Sequence, residues 1–163
     1  MKLAIIAERK SPPDKRVVLT PEICQKAQQL YPELEIVVES SAVRCYSDDE
    51  YIANGIKVSD SIDDCDVFVG VKEVPIDYLI PDKKYFFFSH TIKKQVYNKK
   101  LLQSILEKNI DLFDHETVTA QNNVRLIGFG YYAGVVGCYN AFRTWGLKYN
   151  LYSLSPIETL EDK

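Results

Sequence analysis

Six short stretches, residues 3–7, 35–38, 67–71, 85–88, 110–113 and 125–129, are apolar and rich in β-branched or aromatic side chains, and they predict strands. Several lack polar alternation, which is the pattern of strands buried on both faces. The segments between them carry a helical period. Thr20-Pro21-Glu22 offers a capping hydroxyl, a proline at the first helical position and an acid in the first turn, so a helix is predicted over 21–31 with Ile23, Ala27 and Leu30 on one face. A second helix is predicted over 48–53, closed by Asn54-Gly55. A third is predicted over 96–108, with Leu101, Leu102, Ile105 and Leu106 as its stripe, and a last long one opens near Tyr131. This β-α-β-α alternation predicts an α/β domain whose mostly parallel sheet is covered by helices on both faces. Beyond Trp145 the period is lost and the chain reads as a connection leading elsewhere.

Composition narrows the function classes. The 163 residues suit about one domain and are too few for a complete two-domain dehydrogenase. With 46% hydrophobic and 26% charged residues the chain has an ordinary globular balance, and 20 Lys plus Arg against 23 Asp plus Glu give a net charge of -3, which disfavours a nucleic-acid partner. No apolar run is long enough for a membrane span, and the opening Met1-Lys2-Leu3-Ala4-Ile5-Ile6-Ala7-Glu8-Arg9-Lys10 turns charged too early for a signal peptide, so the expected compartment is the cytoplasm. Cys24, Cys45, Cys65 and Cys138 are widely spaced and only His90 and His115 accompany them; no metal site or disulfide framework is expected, and the thiols should be reduced and mostly packed.

In open α/β sheets ligands bind beyond the carboxyl ends of the strands, so the residues that follow each predicted strand are the candidates. These are Glu8, Arg9 and Lys10 with Arg16; Lys72 and Glu73; Ser89 and His90 with Lys93 and Gln95; Asp114, His115 and Glu116; and, from Arg125, the run into Gly128-Phe129-Gly130. Parallel strands would bring them to one edge. Such a set suits a substrate with carboxylates that exchanges protons at nitrogen. Arg16 and Arg125 offer planar forks for carboxylates, Lys72 and His90 are the candidate acid and base, and Glu116 is placed to tune them. Taken singly, each residue is more ordinarily a solvated pair or a satisfied loop side chain; their shared placement raises the estimate. His115, between two acids, is expected to make ordinary hydrogen bonds.

Gly128-Phe129-Gly130-Tyr131-Tyr132-Ala133-Gly134 invites a dinucleotide-binding reading, but its third glycine comes one residue late and the 26 residues after Gly137 cannot supply the rest of a βαβαβ unit. The glycines are expected instead to allow close helix packing and bring backbone amides near a ligand.

Ala7-Glu8-Arg9-Lys10 followed by Lys15-Arg16-Val17-Val18-Leu19-Thr20-Pro21 resembles the amino-terminal signature of the alanine dehydrogenase, transhydrogenase and saccharopine dehydrogenase superfamily. Gly70-Val71-Lys72-Glu73-Val74-Pro75, Phe88-Ser89-His90-Thr91-Ile92-Lys93-Lys94-Gln95 and the glycine stretch from Gly128 are more particularly similar to lysine-forming saccharopine dehydrogenases. The resemblance covers nearly the whole chain but only the first domain of that family. It implies a three-layer Rossmann-like or flavodoxin-like fold, with residues 1–147 as the N-terminal substrate domain and 148–163 as a linker toward an absent NAD-binding domain. It further implies NAD-dependent cleavage of saccharopine to lysine and 2-oxoglutarate through an imine. Lys72 and His90 would be the acid and base; Arg16, Gln95, Arg125 and Phe129 would contact the substrate, with Lys93 and Glu116 adjusting local charge. NAD would be bound mainly by the absent domain, and no cofactor-binding or metal-binding residue is assigned to this chain.

One departure stands out: members often carry two adjacent basic residues where this chain has Val124 and then Arg125, which puts one contact in doubt. An isolated half would expose the apolar face meant for its partner domain and would be prone to self-association. An alanine dehydrogenase-like domain acting on pyruvate is the nearest rival reading, a transhydrogenase subunit fits less well, and a non-catalytic ligand-binding module of the same fold is the rival from another class.

Overall fold

The computed structural model describes residues 1–160. Its ten main elements are β1 (Lys2–Ile5), α1 (Pro21–Leu30), β2 (Glu35–Glu39), α2 (Asp48–Ala53), β3 (Lys57–Ser59), β4 (Val67–Val69), β5 (Lys84–Phe87), α3 (Lys99–Glu107), β6 (Asp111–Asp114) and α4 (Gly130–Tyr149). Short 3-10 turns lie at Ile76–Tyr78, Thr91–Lys93, Val96–Asn98, His115–Thr117 and Ile157–Thr159. The chain divides into two compact units, Met1–Leu126 and residues 127–160. No described helix is long and apolar enough to cross a membrane.

The first unit is an α/β domain built on a six-stranded sheet of order β3-β2-β1-β4-β5-β6, with every neighbouring pair parallel. The chain builds outward from β1 to β3, then returns to the other side of β1 to lay down β4. This reversal makes a topological switch point between β1 and β4, where a crevice forms beyond the strands' carboxyl ends.

Strand alternation sorts the core into two faces. Ala4, Val37, Phe68, Tyr85 and Phe87 pack with Leu101 and Ile105 of α3 and with Val74 and Leu79 of the β4–β5 connection. Ile5, Ile36 and Val38 pack on the opposite face with Cys24 of α1, Tyr51 of α2 and Ile56. The two fully buried tyrosines satisfy their hydroxyls: Tyr51 donates to the Leu19 carbonyl at 2.7 Å, and Tyr85 accepts from the Ile80 N–H at 2.9 Å.

The caps form where the sequence signals them. The Thr20 hydroxyl accepts from the Ile23 N–H with Pro21 opening α1, and Ser47 and Glu50 close a reciprocal capping box on α2. The faces differ in detail from the predicted stripes. α1 buries Pro21 and Cys24 and leaves Ile23 and Leu30 exposed; α3 buries Leu101 and Ile105 but exposes Leu102 and Leu106.

Two strands differ from expectation. β3 went unpredicted because it is three residues long, carries a lysine and a serine, and pairs only with β2 at the sheet edge. Residues 125–129 form no strand. Arg125 makes a single antiparallel bridge to Thr119, because Asn123 takes a left-handed backbone (φ 61°) and folds a tight reversal in which the Ala120 N–H donates to the Val124 carbonyl at 2.9 Å. Val124 and Leu126 stay exposed, so no sheet face buries them.

In the second unit α4 continues to Tyr149, past the point where its period fades, and Asn150 ends it in the left-handed conformation (φ 52°). The following segment folds back on the helix: Arg143 Nε donates to the Leu154 carbonyl and the Tyr139 hydroxyl to that of Ser155. Residues 161–163 of the expected linker lie outside the described residues. The expected close packing of Gly128, Gly130 and Gly134 is not found, since a Cβ at any of them would meet nothing within 4 Å. Gly146 has that role instead: a Cβ there would lie 2.6 Å from the Tyr152 carbonyl oxygen. The thiols divide evenly rather than being mostly packed, with Cys24 and Cys65 buried and Cys45 and Cys138 exposed. Burial pushes the Cys24 thiol up to about 12, leaving it inert near neutrality.

Candidate functional site

The residues that follow β1, β4, β5 and β6 gather at the carboxyl edge of the first unit's sheet. Glu116 is the hub of one group. It sits in the 3-10 turn after β6, where its N–H donates to Asp114 Oδ1 at 2.8 Å, and its side chain is largely buried. Glu116 Oε2 lies 2.9 Å from His90 Nδ1, while Oε1 lies 3.0 Å from Lys93 Nζ and 3.5 Å from Arg125 Nη2. Burial opposes the Glu116 charge, but the hydrogen bonds from His90 and Lys93 outweigh it and hold the carboxyl below the usual glutamate range.

The same contacts fix the histidine's role. A carboxylate only accepts, so His90 donates to it through Nδ1–H. Lys93 Nζ is also 3.0 Å from Nδ1, but an ammonium has no acceptor for that proton, so its bond goes to Glu116. Nε2 is turned toward Glu73 Oε1 at 3.9 Å, beyond hydrogen-bond reach. Behind the ring, the Ser89 hydroxyl donates to the buried Asp114 carboxylate, tying the end of β5 to the end of β6. His90 itself takes a left-handed backbone (φ 54°), an uncommon conformation for a residue with a Cβ.

Glu73, beside Lys72, begins a second group. Its carboxylate accepts from Lys10 Nζ at 2.8 Å. Burial works against its charge, but the Lys10 bond, a backbone hydrogen bond and the charges of Lys10 and His90 together outweigh it and lower the carboxyl. Arg16 donates through Nε to Asp14 Oδ1 at 2.9 Å and through Nη2 to Oδ2 at 2.5 Å, which holds the Asp14 carboxyl down; the Lys72 ammonium acts on Asp14 in the same direction. Arg9, by contrast, forks onto Glu39 and lies 4.3 Å over the Tyr78 ring, a structural role.

His90, Lys93 and Arg125 thus all meet at Glu116, with Glu73 on the other side of the His90 ring, while Arg16 is held on Asp14, which the Lys72 ammonium also favours. Gln95 is turned outward, where its Oε1 accepts from the Tyr97 hydroxyl. Phe129 belongs to the second unit, at the start of α4. His115 makes an ordinary bond: its buried Nε2–H donates to the Gly70 carbonyl at 3.0 Å. Sequence reasoning left out Lys10, Asp14 and Glu73 as site residues and Asp114 as a support; Lys10 and Glu73 stand among the strand-end groups, whereas nothing in the pattern marked Asp14. Cations from several loops around one oriented imidazole can grip an anionic substrate and move a proton. Among the described residues no three metal-ligating side chains converge.

Comparison with known proteins agrees with this architecture. Residues 4–136 match the family model described as alanine dehydrogenase/PNT, N-terminal domain. The chain is 34% identical over 139 residues to the alpha-aminoadipic semialdehyde synthase of Arabidopsis thaliana, covering 83% of this chain and 13% of that protein. It is 37% identical over 114 residues to the mitochondrial alpha-aminoadipic semialdehyde synthase of Bos taurus, covering 70% of this chain and 12% of the other. Against the NAD(+), L-lysine-forming saccharopine dehydrogenase of Yarrowia lipolytica it is 29% identical over 153 residues, covering 91% of this chain and 41% of the enzyme. Its fold is similar to that of an L-alanine dehydrogenase, with a TM-score of 0.62 at 20% identity over 76% of this chain and 35% of that one. A transhydrogenase from Sinorhizobium meliloti gives a TM-score of 0.59 at 18% identity over 74% of this chain and 36% of that one. The chain therefore spans a small fraction of the synthases and less than half of the dehydrogenase.

Proposed function

The chain belongs to the alanine dehydrogenase/PNT N-terminal domain family, and from that premise we propose that it is the substrate-binding half of an NAD-dependent oxidoreductase acting on CH–NH groups. The substrate that suits it best is saccharopine, cleaved with NAD and water to lysine, 2-oxoglutarate and NADH. The observation that carries this reading is the Glu116 hub, which orients the His90 ring and collects Lys93 and Arg125 around it.

In that reaction the carbon next to a secondary amine would give up its hydride to NAD while the nitrogen loses a proton, leaving an imine; water then adds to the imine carbon, and the lysine amine leaves with a proton. His90 Nε2 and the Lys72 amine are the groups offered to take and return those protons. Arg16, held on Asp14, and Arg125, held on Glu116, can exchange those partners for substrate carboxylates, since both guanidinium groups are partly exposed. Lys93 adds positive charge beside them, with Gln95 and Phe129 as further substrate contacts. Three carboxylates on saccharopine suit the separate cations Arg16, Lys93 and Arg125 better than the single carboxylate of pyruvate.

The described residues do not fit NAD itself. Gly128-Phe129-Gly130 follows no strand, so the strand–turn–helix cradle for a pyrophosphate is missing there. NAD and its hydride chemistry are assigned to a nucleotide-binding domain outside this sequence, toward which 148–163 would lead from a substrate domain of 1–147. Hydride transfer needs nicotinamide and substrate held together, so these 163 residues alone should form no NADH from saccharopine and NAD.

Amide NMR of the 163-residue chain titrated with 2-oxoglutarate, lysine and pyruvate tests the reading. The expected result is a selective response to 2-oxoglutarate at Arg16, His90 and Arg125. Preference for pyruvate would transfer the chain to the alanine dehydrogenase-like reading, and silence toward all three would make it a non-catalytic module.

A further inference from the structure

Glu8 is absent from the acid–base pair and from the carboxylate grips, yet its side chain makes the most direct link across the switch point. It lies three residues beyond the end of β1, and its carboxylate reaches the chain leaving β4. Oε1 accepts from the Val71 N–H at 2.6 Å and Oε2 from the Lys72 N–H at 3.0 Å. One carboxylate thereby holds two consecutive peptide groups, the second of which belongs to the proposed proton carrier.

The same short segment is pinned on its other sides. The Gly70 carbonyl accepts from His115 Nε2–H at 3.0 Å, and the Val71 carbonyl accepts from the Phe88 N–H at 3.1 Å. Gly70 has no space for a side chain: a Cβ would lie 2.7 Å from Ile6 Cδ1 and 3.4 Å from Glu8 Oε1. Residues 70–72 are therefore clamped between β1, β5 and the loop after β6, with the Glu8 carboxylate as the jaw that touches Lys72.

This arrangement is costly for folding alone. Burial pushes the Glu8 carboxyl up, the Val71 and Lys72 amides pull it down without fully compensating, Asp14 repels it and Arg16 favours it. Asp14 and Arg16 are the charges that act on it, and Arg44 lines the same small cavity. A half-buried acid beside another acid, tying two consecutive backbone amides of which one is that of Lys72, suits a need to aim that lysine.

We propose that Glu8 is the positioning residue for Lys72: its carboxylate fixes the backbone from which the Lys72 amine is presented to the substrate nitrogen. The inference rests on the saccharopine dehydrogenase-like reading for the identity of that substrate, but the positioning can be tested without it.

In the ligand-free 163-residue chain, the Val71 and Lys72 amide protons should titrate together with the Glu8 carboxyl, at a midpoint above the ordinary glutamate value, and the same titration should be lost in Glu8→Gln. An amide nitrogen cannot accept a hydrogen bond, so that variant serves only one of the two N–H groups. Glu8→Asp keeps the charge but shortens the reach, and should retain a weakened titration. Val71 and Lys72 amides that ignore Glu8 in the wild-type chain would overturn the proposal, whatever the variants do.

The second measurement is 2-oxoglutarate affinity in a double-mutant cycle. Glu8→Gln should weaken binding about tenfold or more, with Glu8→Asp between it and the wild type, and Glu8→Gln should add nothing further once Lys72→Met is present. Additive losses would show that Glu8 acts on the fold at large and would defeat the proposal. If the wild-type chain binds no 2-oxoglutarate, the substrate reading falls, while the amide titration still decides the positioning.

Discussion

His115 shows how a buried group couples this fold to pH. It is 5% exposed, its ring lies edge-on to Phe88, and Nδ1 finds no hydrogen-bond partner among the described residues. Nε2–H is committed to the Gly70 carbonyl, so a second proton would have to enter on Nδ1, in an apolar setting. Burial accordingly pushes the His115 pKa down. In the unfolded chain the imidazole regains an ordinary pKa of about 6.5. Above that pH both states are neutral and the group is silent; below it the unfolded chain binds a proton that the native state refuses, so stability falls as pH drops toward the depressed native value. The slope approaches about 1.4 kcal/mol per pH unit within that window. His115→Gln can keep a donor for Gly70 without a titratable ring. Denaturant unfolding at pH 7.5 and pH 5 should show the wild type losing more stability than His115→Gln; equal losses would mean that His115 is protonated in the native state.

At the level of the elements, glycines with opposite surroundings give a direct comparison. Gly146 lies in α4 with the Tyr152 ring and carbonyl against the place a Cβ would occupy, whereas Gly137, in the same helix, faces open space. Gly146→Ala should therefore cost about 1–3 kcal/mol by forcing backbone apart, while Gly137→Ala should gain about 0.5–1 kcal/mol through helix propensity. Thermal unfolding followed by helical circular dichroism reads both signs. The contrast also shows which features of this chain are legible in its sequence. Thr20-Pro21 and Ser47 with Glu50 act within one turn, so their spacing announces α1 and α2 directly. The buried strands β1, β2, β4, β5 and β6 announce themselves by continuous apolar runs. β3 does not, because an edge strand of three residues shows no period, and residues 125–129 mislead, because Asn123 decides their path and Val124 and Leu126 are apolar without being buried. The packed face of α1 was missed because Cys24 fills the core contact that Ile23 was expected to make. At the candidate site, a parallel sheet collects whatever follows its strands, so Lys72, His90, Lys93 and Glu116 could be anticipated near one edge, whereas Arg125 reaches Glu116 from the reversal that replaces the expected strand. The grip of Glu8 on two backbone amides and the pairing of Arg16 with Asp14 depend on loop geometry that no spacing encodes.

Considered as a whole molecule, the chain carries apolar surface that its described residues do not bury. Beside the polar Asn140, Arg143, Thr144 and Lys148, α4 exposes a broad apolar surface: Tyr131, Phe142, Trp145 and Leu147 are each more than half exposed, and Ala141, Phe142, Trp145 and Tyr152 line an open groove. A contiguous patch of such side chains favours association in water. If the function proposed above is right, the remainder of the enzyme covers part of that surface, and copies of the 163-residue chain should cover it for one another when studied alone. Sedimentation velocity of the wild-type chain should show an average mass that rises with concentration. The double substitution Phe142→Glu and Trp145→Glu places charge on the groove, removes the Trp145 contact with Tyr149 and leaves the first unit untouched. That variant should sediment as a monomer throughout, with amide spectra of residues 1–126 and their response to 2-oxoglutarate unchanged. Association that survives both substitutions would place the sticky surface elsewhere, and the stacked Phe86 and Phe113, 4.4 Å apart with Phe113 exposed, would be the next position to charge.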